Sequence, residues 1–410
     1  MTRTPAGTAG IRDALPLVIA GFAISFIVVG GGIDTVSVFL NAITKATDWS
    51  RSGLSLGVRV GAVMAALSTP VVGILVDRYG GRVPMTAGVI LLAVGFLILV
   101  GMHEPWHFVA ANVALGPGFA ACALLPITVA VTIRIPDRTT LALGIIGAGS
   151  SAGALALAPA LQVVTETVGW RGGYLALGAA VVLTPLPCLL FALPRGRLRP
   201  AAPARTQRGG ELRLVQELRQ PGVAPLAAVM ILPGLVGFSI SVHLVPYLAG
   251  LGHPGAVAAA ALGATIGISA IGKIGGGFVG DRFGPLATLR YALLLDVVAL
   301  VLLQYAAGGA ALSAFVILYG LALGAQIAVI PAIAVTVLNA ERFGTLFGVL
   351  QLGAMLASAI GPISSGLIYD RTGQYAGAIV VWLVAMSAAA AISWWMRTEV
   401  VLRSATHDGA

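Results

Sequence analysis

The sequence predicts an all-α membrane protein whose twelve transmembrane helices form two six-helix repeats. Of its 410 residues, 58% are hydrophobic and only 10% are charged, whereas soluble proteins carry about 25% charged residues. The apolar segments reach the ~20 residues that a helix needs to cross a bilayer. A similar eight-residue motif also occurs twice, half a chain length apart. Lipid must therefore cover most of the surface, and the chain contains an internal duplication.

Hydropathy divides the chain into twelve apolar segments, and each is predicted as a membrane helix because lipid offers the backbone no hydrogen bonds. Strands of a membrane β-barrel would alternate in segments of about ten residues, and these segments do not. In chain order the segments are 14–42, 50–76, 83–102, 106–133, 140–166, 172–193, 222–250, 256–280, 286–307, 310–338, 343–369 and 374–396. Cys122 and Cys188 lie within them, so we expect packing residues rather than a disulfide or metal site, and no cofactor.

Arginine placement predicts the orientation of the helices, since basic residues favour the cytoplasmic side. With the N-terminus inside, eighteen basic residues fall in inner loops and ends, and four fall in outer loops. The inner set is Arg3, Arg12, Arg78, Arg82, Arg134, Arg138, the seven arginines from Arg195 to Arg219, Arg282, Arg290, Arg342, Arg397 and Arg403. The outer set is Lys45, Arg51, Arg171 and Arg371. We therefore expect both ends in the cytoplasm of a bacterial inner membrane, and attribute the net charge of +9 to topology rather than nucleic-acid binding.

One long polar stretch, rich in proline and arginine, separates the spans into six and six. The predicted parts are an N-terminal six-helix bundle at 1–193, a cytoplasmic linker at 194–221, a C-terminal six-helix bundle at 222–396 and a cytoplasmic tail at 397–410. Two parallel six-helix repeats are a known plan of transporters, whose substrate sites lie at the repeat interface near the middle of the membrane. A small-molecule substrate and the lipid bilayer are therefore the expected partners.

The duplicated motif resembles the signature loop of the major facilitator superfamily. Its copies are Gly73-Ile-Leu-Val-Asp77-Arg78-Tyr79-Gly80 after the second span and Gly277-Phe-Val-Gly-Asp281-Arg282-Phe283-Gly284 after the eighth. The resemblance implies that the motif latches the outward-open state and does not bind substrate. The residues predicted for this conformational role are Gly73, Asp77, Arg78, Arg82, Gly277, Asp281 and Arg282.

Finer features resemble the monocarboxylate porter and oxalate/formate antiporter branch of that superfamily. They are Asp48-Trp49-Ser50-Arg51-Ser52 before span two, Gly169-Trp170-Arg171 before span six, His243-Leu-Val-Pro246-Tyr247-Leu in span seven, and Gly361-Pro362 with Asp370-Arg371-Thr372-Gly373 in span eleven. The resemblance places Lys273 where the family carries a substrate-binding arginine, and Ser269 where it carries an acid one turn earlier. In the first helix, Asp34 stands where the family has a lysine, so the charge pattern is partly rearranged.

Three charged residues are predicted near the middle of the membrane, where a charge is costly and usually functional. Asp34 and Arg59 lie ~15 Å and ~14 Å from the outer ends of spans one and two, and would pair with each other. Lys273 lies ~12 Å from Asp281 at the inner edge. We expect protonation of Asp34 to free Arg59 for an anion, and Lys273 to bind the carboxylate of the substrate. The alternatives are a static Asp34–Arg59 pair and a Lys273 that reaches the inner interface by snorkelling.

Uncharged polar residues of the second half are further candidates. One face of span seven could line the outer cavity or relay protons, and its residues are Ser239, His243 and Tyr247, at i, i+4 and i+8. Gln326 and Gln351 could hydrogen-bond the substrate. For the histidine and both glutamines, the alternative is packing or interhelical hydrogen bonding. Asp296 in span nine is predicted to be structural, and Gly30–Gly32 in span one to allow a bend or close helix contact.

Together these features predict a monomeric secondary active transporter of small organic anions, with monocarboxylates as the expected class, that couples to protons and works by alternating access. The sequence contains no Walker-type phosphate loop, so an ion or solute gradient must supply the energy, and exchange of two carboxylates stays open. An enzyme is not expected, because no Ser/His/Asp set or metal-ligand cluster is present. The alternatives are a multidrug or organic-cation exporter by proton antiport, anchored on Asp34, and a membrane sensor that has lost transport.

Overall fold

The computed structural model describes residues 11–47, 49–187, 189, 214 and 216–396. These residues are almost entirely helical and include no β-strand. The prediction of an all-α protein is therefore confirmed. The predicted tail at 397–410, most of the predicted linker at 194–221, and the residues Asp48 and Cys188 lie outside the described residues.

Sixteen helical elements follow one another along the described chain, and the fourteen α-helices are labelled here in order. Those of the first half are α1 (Ile11–Ile24), α2 (Val36–Ala46), α3 (Arg51–Tyr79), α4 (Arg82–Val100), α5 (Pro105–Cys122), α6 (Leu124–Arg134), α7 (Thr139–Leu183) and α8 (Pro185–Pro187). Those of the second half are α9 (Val223–Gly250), α10 (Gly255–Phe283), α11 (Pro285–Leu303), α12 (Gly309–Val337), α13 (Phe343–Thr372) and α14 (Ala376–Trp395). A π-helix, Ser25–Gly31, separates α1 from α2, and a short 3-10 turn, Pro136–Arg138, precedes α7.

Eleven helical stretches among the described residues are long and apolar enough to cross a membrane. One of them, Pro136–Pro187, has 52 residues and contains a break at Gly169, whose φ is 77°. Glycine adopts this left-handed φ without strain because it has no Cβ. The break lies between the predicted spans five and six, so this stretch contains two spans and the twelve-span prediction agrees with the structure. The protein is thus a multi-pass membrane protein.

The helices belong to two compact units of the chain. The first unit is Met1–Ser68 with Ile74–Pro200, and the second is Thr69–Gly73 with Ala201–Ala410. In the first unit an aromatic cluster forms part of the core, where Tyr174 of α7 stacks on Phe39 of α2 with ring centroids 3.9 Å apart. The edge of Trp170 also packs against Tyr174. Stacking of this kind adds to the apolar burial that holds α2 against α7.

The two copies of the duplicated motif end their helices in the same way. Both α3 and α10 stop directly before a glycine with left-handed φ, 79° at Gly80 and 94° at Gly284. In each copy the arginine also lies over the aromatic ring that follows it. The distances from guanidinium carbon to ring centroid are 5.5 Å for Arg78 over Tyr79 and 5.7 Å for Arg282 over Phe283. The duplication is therefore present in the backbone and in the side-chain contacts.

Candidate functional site

Lys273 lies in the interior of α10, ten residues before the helix ends at Phe283. Its side chain is only 4% exposed. Ser269, one turn earlier on the same helix, is also buried, and its hydroxyl donates to the carbonyl oxygen of Ile266. A lysine that reaches a membrane surface by snorkelling would expose its ammonium group. The burial of Lys273 therefore favours the binding interpretation over the snorkelling one.

The backbone around Lys273 is fixed by close contact between α10 and α12. Each helix presents two glycines four residues apart, Gly272 and Gly276 on α10, and Gly320 and Gly324 on α12. A Cβ placed on any of these four would come within 3.0 Å of the facing helix, closer than real Cβ atoms approach. At Gly324 that Cβ would lie 2.5 Å from the backbone nitrogen of Lys273. Small residues at such spacing are what allows two membrane helices to touch along their backbones.

Asp296 and Gln326 form a buried polar contact between α11 and α12. Asp296 is 1% exposed and Gln326 is 4% exposed. The amide nitrogen of Gln326, Nε2, donates to Oδ2 of Asp296 and also to the carbonyl oxygen of Ala322, 3.2 Å away. Gln326 is therefore the hydrogen-bond partner of Asp296, which the sequence could not identify. For Gln326 the contact favours interhelical hydrogen bonding over substrate binding.

Both ring nitrogens of His243 in α9 form hydrogen bonds. Nε2 lies 2.9 Å from the carbonyl oxygen of Pro362 in α13, and Nδ1 lies 3.1 Å from the hydroxyl of Tyr375. A carbonyl oxygen only accepts, so Nε2 carries a hydrogen, and in the neutral ring Nδ1 accepts from the tyrosine hydroxyl. Burial, and then the neighbouring Tyr369 and Asp370, raise the pKa of Tyr375. The tyrosine therefore keeps its hydroxyl hydrogen and remains a donor.

The rest of the predicted face of α9 is also engaged in packing. Tyr247 donates its hydroxyl to the carbonyl oxygen of Leu303 at the end of α11, 3.0 Å away. Ser239 is fully buried and donates to the carbonyl oxygen of Leu235, 2.7 Å away. The edge of the Tyr247 ring packs on Tyr375, with centroids 5.8 Å apart. These contacts show that the three side chains take part in helix packing, and for His243 they favour the packing alternative. The predicted role of this face in a cavity or a proton relay stays a prediction.

Asp34 and Arg59 occupy different kinds of backbone in the first unit. Asp34 lies in the turn at residues 32–35, between the π-helix and α2, and is exposed. The sequence predicts one helical span over 14–42, with a bend or close helix contact at Gly30–Gly32, and the structure places the Asp34 carboxylate in a turn directly after those glycines. Arg59 is exposed on α3, two residues from each of Gly57 and Gly61, which pack α3 against α5. Residues two apart point to opposite sides of a helix, so Arg59 faces away from α5. The pairing of Asp34 with Arg59 stays a prediction.

The glycines of span one make the close helix contact proposed for them. Two of them, Gly30 and Gly31, end the π-helix Ser25–Gly31. A Cβ on Gly30 would lie 2.5 Å from the carbonyl oxygen of Ser150 in α7, which shows how closely the two helices approach. Short π-helical segments inside membrane helices often occur at functional sites. This break lies directly before Asp34.

The remaining predicted residues lie at helix ends or are partly exposed. Asp77, Asp281 and Arg82 are partly buried next to the two signature turns, whereas Arg78 and Arg282 are exposed and Gly73 and Gly277 are buried. Gln351 is partly buried in α13. Their predicted roles in conformational latching and substrate contact stay predictions.

Sequence reasoning missed Tyr375 and the contact in the loop before α13. Tyr375 stands in a loop and carries no periodic signal, so its contact with His243 depends on the fold. Arg342, before α13, lies 3.8 Å from Glu217, which falls in the predicted linker. Opposite charges at these two positions were the only available signal.

Comparisons with known proteins agree with this architecture. Residues 22–316 match the Major Facilitator Superfamily. Monocarboxylate transporter 11 of mouse is 29% identical over 338 residues, covering 78% of this chain and 73% of its own. An uncharacterised MFS-type transporter of Bacillus subtilis, YcxA, is 26% identical over 371 residues, covering 86% and 88%.

Solved structures show the same fold at low sequence identity. The fucose:proton symporter of Escherichia coli superimposes with a TM-score of 0.77 at 14% identity, covering 95% of this chain and 99% of its own. The human organic anion transporter MFSD10 superimposes with a TM-score of 0.74 at 17% identity, covering 94% and 100%. The family match extends over most of the chain, so this protein belongs to the Major Facilitator Superfamily and is a membrane transporter.

Proposed function

We propose that the protein transports small organic anions, with monocarboxylates as substrates, by proton-coupled alternating access as a monomer. The observation that carries the proposal is Lys273, a lysine buried within the apolar helix α10. Relatives that are named monocarboxylate transporters, at 25–29% identity, support the substrate class.

Lys273 supplies the chemistry that binding a carboxylate requires. Its ammonium group carries three N–H donors, so it can hold a substrate oxygen while it also contacts the protein. The attraction between opposite charges is far stronger in a site of low dielectric constant than in water. A bound carboxylate would therefore be attracted strongly to this buried ammonium group. A neutral solute of the same shape would lack this interaction.

Asp34 is the proposed carrier of the coupled proton in the first unit. It lies where the first span is interrupted, and backbone groups of interrupted membrane helices can contact substrates and ions directly. Protonation would remove its negative charge and leave Arg59 available to an anion. Uptake of a proton would then accompany uptake of each monocarboxylate. Asp34→Asn, which resembles the protonated form, should therefore retain exchange of substrate and lose accumulation driven by a proton gradient.

The excess of basic residues in the predicted inner loops supports a place in a bacterial inner membrane, with both ends in the cytoplasm. Accessibility of single cysteines to a membrane-impermeant thiol reagent tests this orientation. A cysteine at Arg342 should be protected in intact cells, and one at Lys45 should react. The reverse pattern would contradict the proposed orientation.

Purified protein in liposomes tests the transport proposal directly. An inward proton gradient should drive uptake of labelled lactate, pyruvate or oxalate. Lys273→Ala should abolish uptake, whereas Lys45→Ala, at the other lysine of the chain and on an exposed helix end, should leave it unchanged. Normal uptake by Lys273→Ala would remove that residue from the site. Flux of hydrophobic cations without any carboxylate flux would replace the proposal with an organic-cation exporter anchored on Asp34.

A further inference from the structure

The carboxyl group of Asp296 is a buried ionisable group that the proposed mechanism leaves unused. It lies in α11, twelve residues after the turn at Gly284, and Lys273 lies eleven residues before that turn. At 1.5 Å per residue both residues are ~17 Å from the turn, so they share one depth in the second unit. Asp296 is 1% exposed.

The two oxygens of this carboxyl group have different surroundings. Oδ2 accepts a hydrogen bond from Nε2 of Gln326. Nε2 also lies next to the carbonyl oxygen of Ala322, which accepts only, so this amide atom is a nitrogen and the orientation of Gln326 is fixed. Oδ1 is buried and has no hydrogen-bond partner among the residues that the structure describes. Any proton on the carboxyl group therefore resides on Oδ1.

The helices packed against α11 are α10, α12 and α14. Their titratable or charged residues, with those of α11 itself, are Lys273, Asp281 and Arg282 on α10, Tyr319 on α12, and Arg290 and Tyr291 on α11, while α14 has none. Gln326 is the one polar partner that the described residues supply to the carboxyl group. An ionised carboxylate with a single neutral donor is far more costly to bury than a carboxylic acid with one unsatisfied hydroxyl.

We propose that Asp296 is a proton-binding site of the second unit, which carries its proton on Oδ1 at neutral pH and exchanges it during transport. The Gln326 contact uses the other oxygen, so a proton can join or leave Oδ1 while that hydrogen bond stays in place. The carboxyl group keeps its position in both states. The proton-binding part stands on the geometry alone, whereas its use in coupling rests on the proposed function.

Infrared spectroscopy of the full-length protein in lipid tests the proton-binding part. At neutral pH the wild type should show a carbonyl-stretch band of a protonated carboxylic acid. The band should disappear in Asp296→Asn and persist in Asp370→Asn, a control at an exposed aspartate. Gln326→Leu should keep the band and move it to higher frequency, because the carbonyl loses its donor. A wild type without the band, a band that survives Asp296→Asn, or an unmoved band in Gln326→Leu would each overturn the proposal.

Transport by the same variants tests the coupling part. In Asp296→Asn, exchange of labelled monocarboxylate at equal pH should persist. A proton gradient should no longer drive accumulation of the substrate above the level reached at equal pH. Full accumulation in this variant would refute a role of Asp296 in coupling. If the wild type moves no monocarboxylate at all, the proposed function fails, and the infrared result still decides whether Asp296 binds a proton. If Asp296→Asn does not fold, the band position in Gln326→Leu decides in its place.

Discussion

Substitution of Gly324 by alanine should impair transport through the position of Lys273, without a direct change to any polar group. The new Cβ would lie 2.5 Å from the backbone nitrogen of Lys273, whereas ordinary contacts begin at 3.4 Å. The α10–α12 contact must therefore open by about 1 Å, and a misplacement of about 1 Å can cost on the order of 100-fold in rate. We expect the efficiency of monocarboxylate uptake, the maximal rate divided by the half-saturation concentration, to fall by about 10- to 100-fold.

The same substitution should have a much smaller effect on stability. Overpacking costs about 1–3 kcal/mol, but alanine is about 1 kcal/mol better than glycine inside a helix. The net loss should be about 0–2 kcal/mol by these terms, which a thermal melt in detergent would record as a modest shift.

Uptake kinetics in liposomes, with the melt measured alongside, separate the two effects. The matched control is Gly275→Ala on α10, two residues from Lys273, where nothing lies within 4 Å of the new Cβ. That variant should transport like the wild type. Unchanged kinetics in Gly324→Ala, or equal impairment in Gly275→Ala, would refute the argument that this helix contact positions Lys273.

Three further substitutions test other contacts. Tyr375→Phe removes the donor to Nδ1 of His243 and should cost about 1 kcal/mol of stability, seen as a lower melting temperature, while uptake persists if the contact is structural. Gln326→Leu leaves a buried aspartate oxygen without its donor and should cost about 1–3 kcal/mol, more than Gln351→Leu measured in the same melt. Arg282→Ala in the second signature turn should slow uptake several-fold and leave equilibrium substrate binding unchanged, if the turn acts on the conformational cycle; weakened binding would contradict that role.

The fold was predictable because its signals are strong and local. Twelve apolar segments follow from hydropathy alone, and Gly169 divides one long helical stretch near the predicted boundary. The ends of α3 and α10 were also predictable, because the motif repeats and each copy ends in a glycine. Membrane helices allow this because each satisfies its backbone within one segment, so their existence does not depend on distant contacts.

The sequence could predict which residues are candidates for the site, but not which residues they contact. A lysine, an aspartate and a histidine inside apolar segments are rare and therefore visible in the sequence. Their contacts depend on helix packing, which the period of the hydrophobic pattern does not specify when a helix is apolar on all sides. The sequence therefore could not join Asp296 to Gln326, or His243 to Tyr375. Nor could it show that the first span is interrupted at Asp34, because glycine-rich helices tolerate several local geometries.

Helix α12 contacts two buried ionisable residues of the second unit, Lys273 and Asp296. Gly324 faces the backbone of Lys273 on α10, and Gln326, two residues later and on the opposite side of α12, holds Asp296 on α11. A displacement of α12 must therefore act on both residues. We expect Lys273→Gln and Asp296→Asn to be non-additive in substrate affinity, with a coupling of about 0.5–3 kcal/mol.

Equilibrium binding of labelled substrate to the wild type, both single variants and the double variant measures this coupling. Asp370→Asn, at an exposed site on α13, provides the control cycle with Lys273→Gln. That cycle should be additive within about 0.5 kcal/mol, since distant sites without shared partners rarely interact. Additivity in the Asp296 cycle as well would mean that the two residues respond to separate events, and that α12 transmits nothing between them.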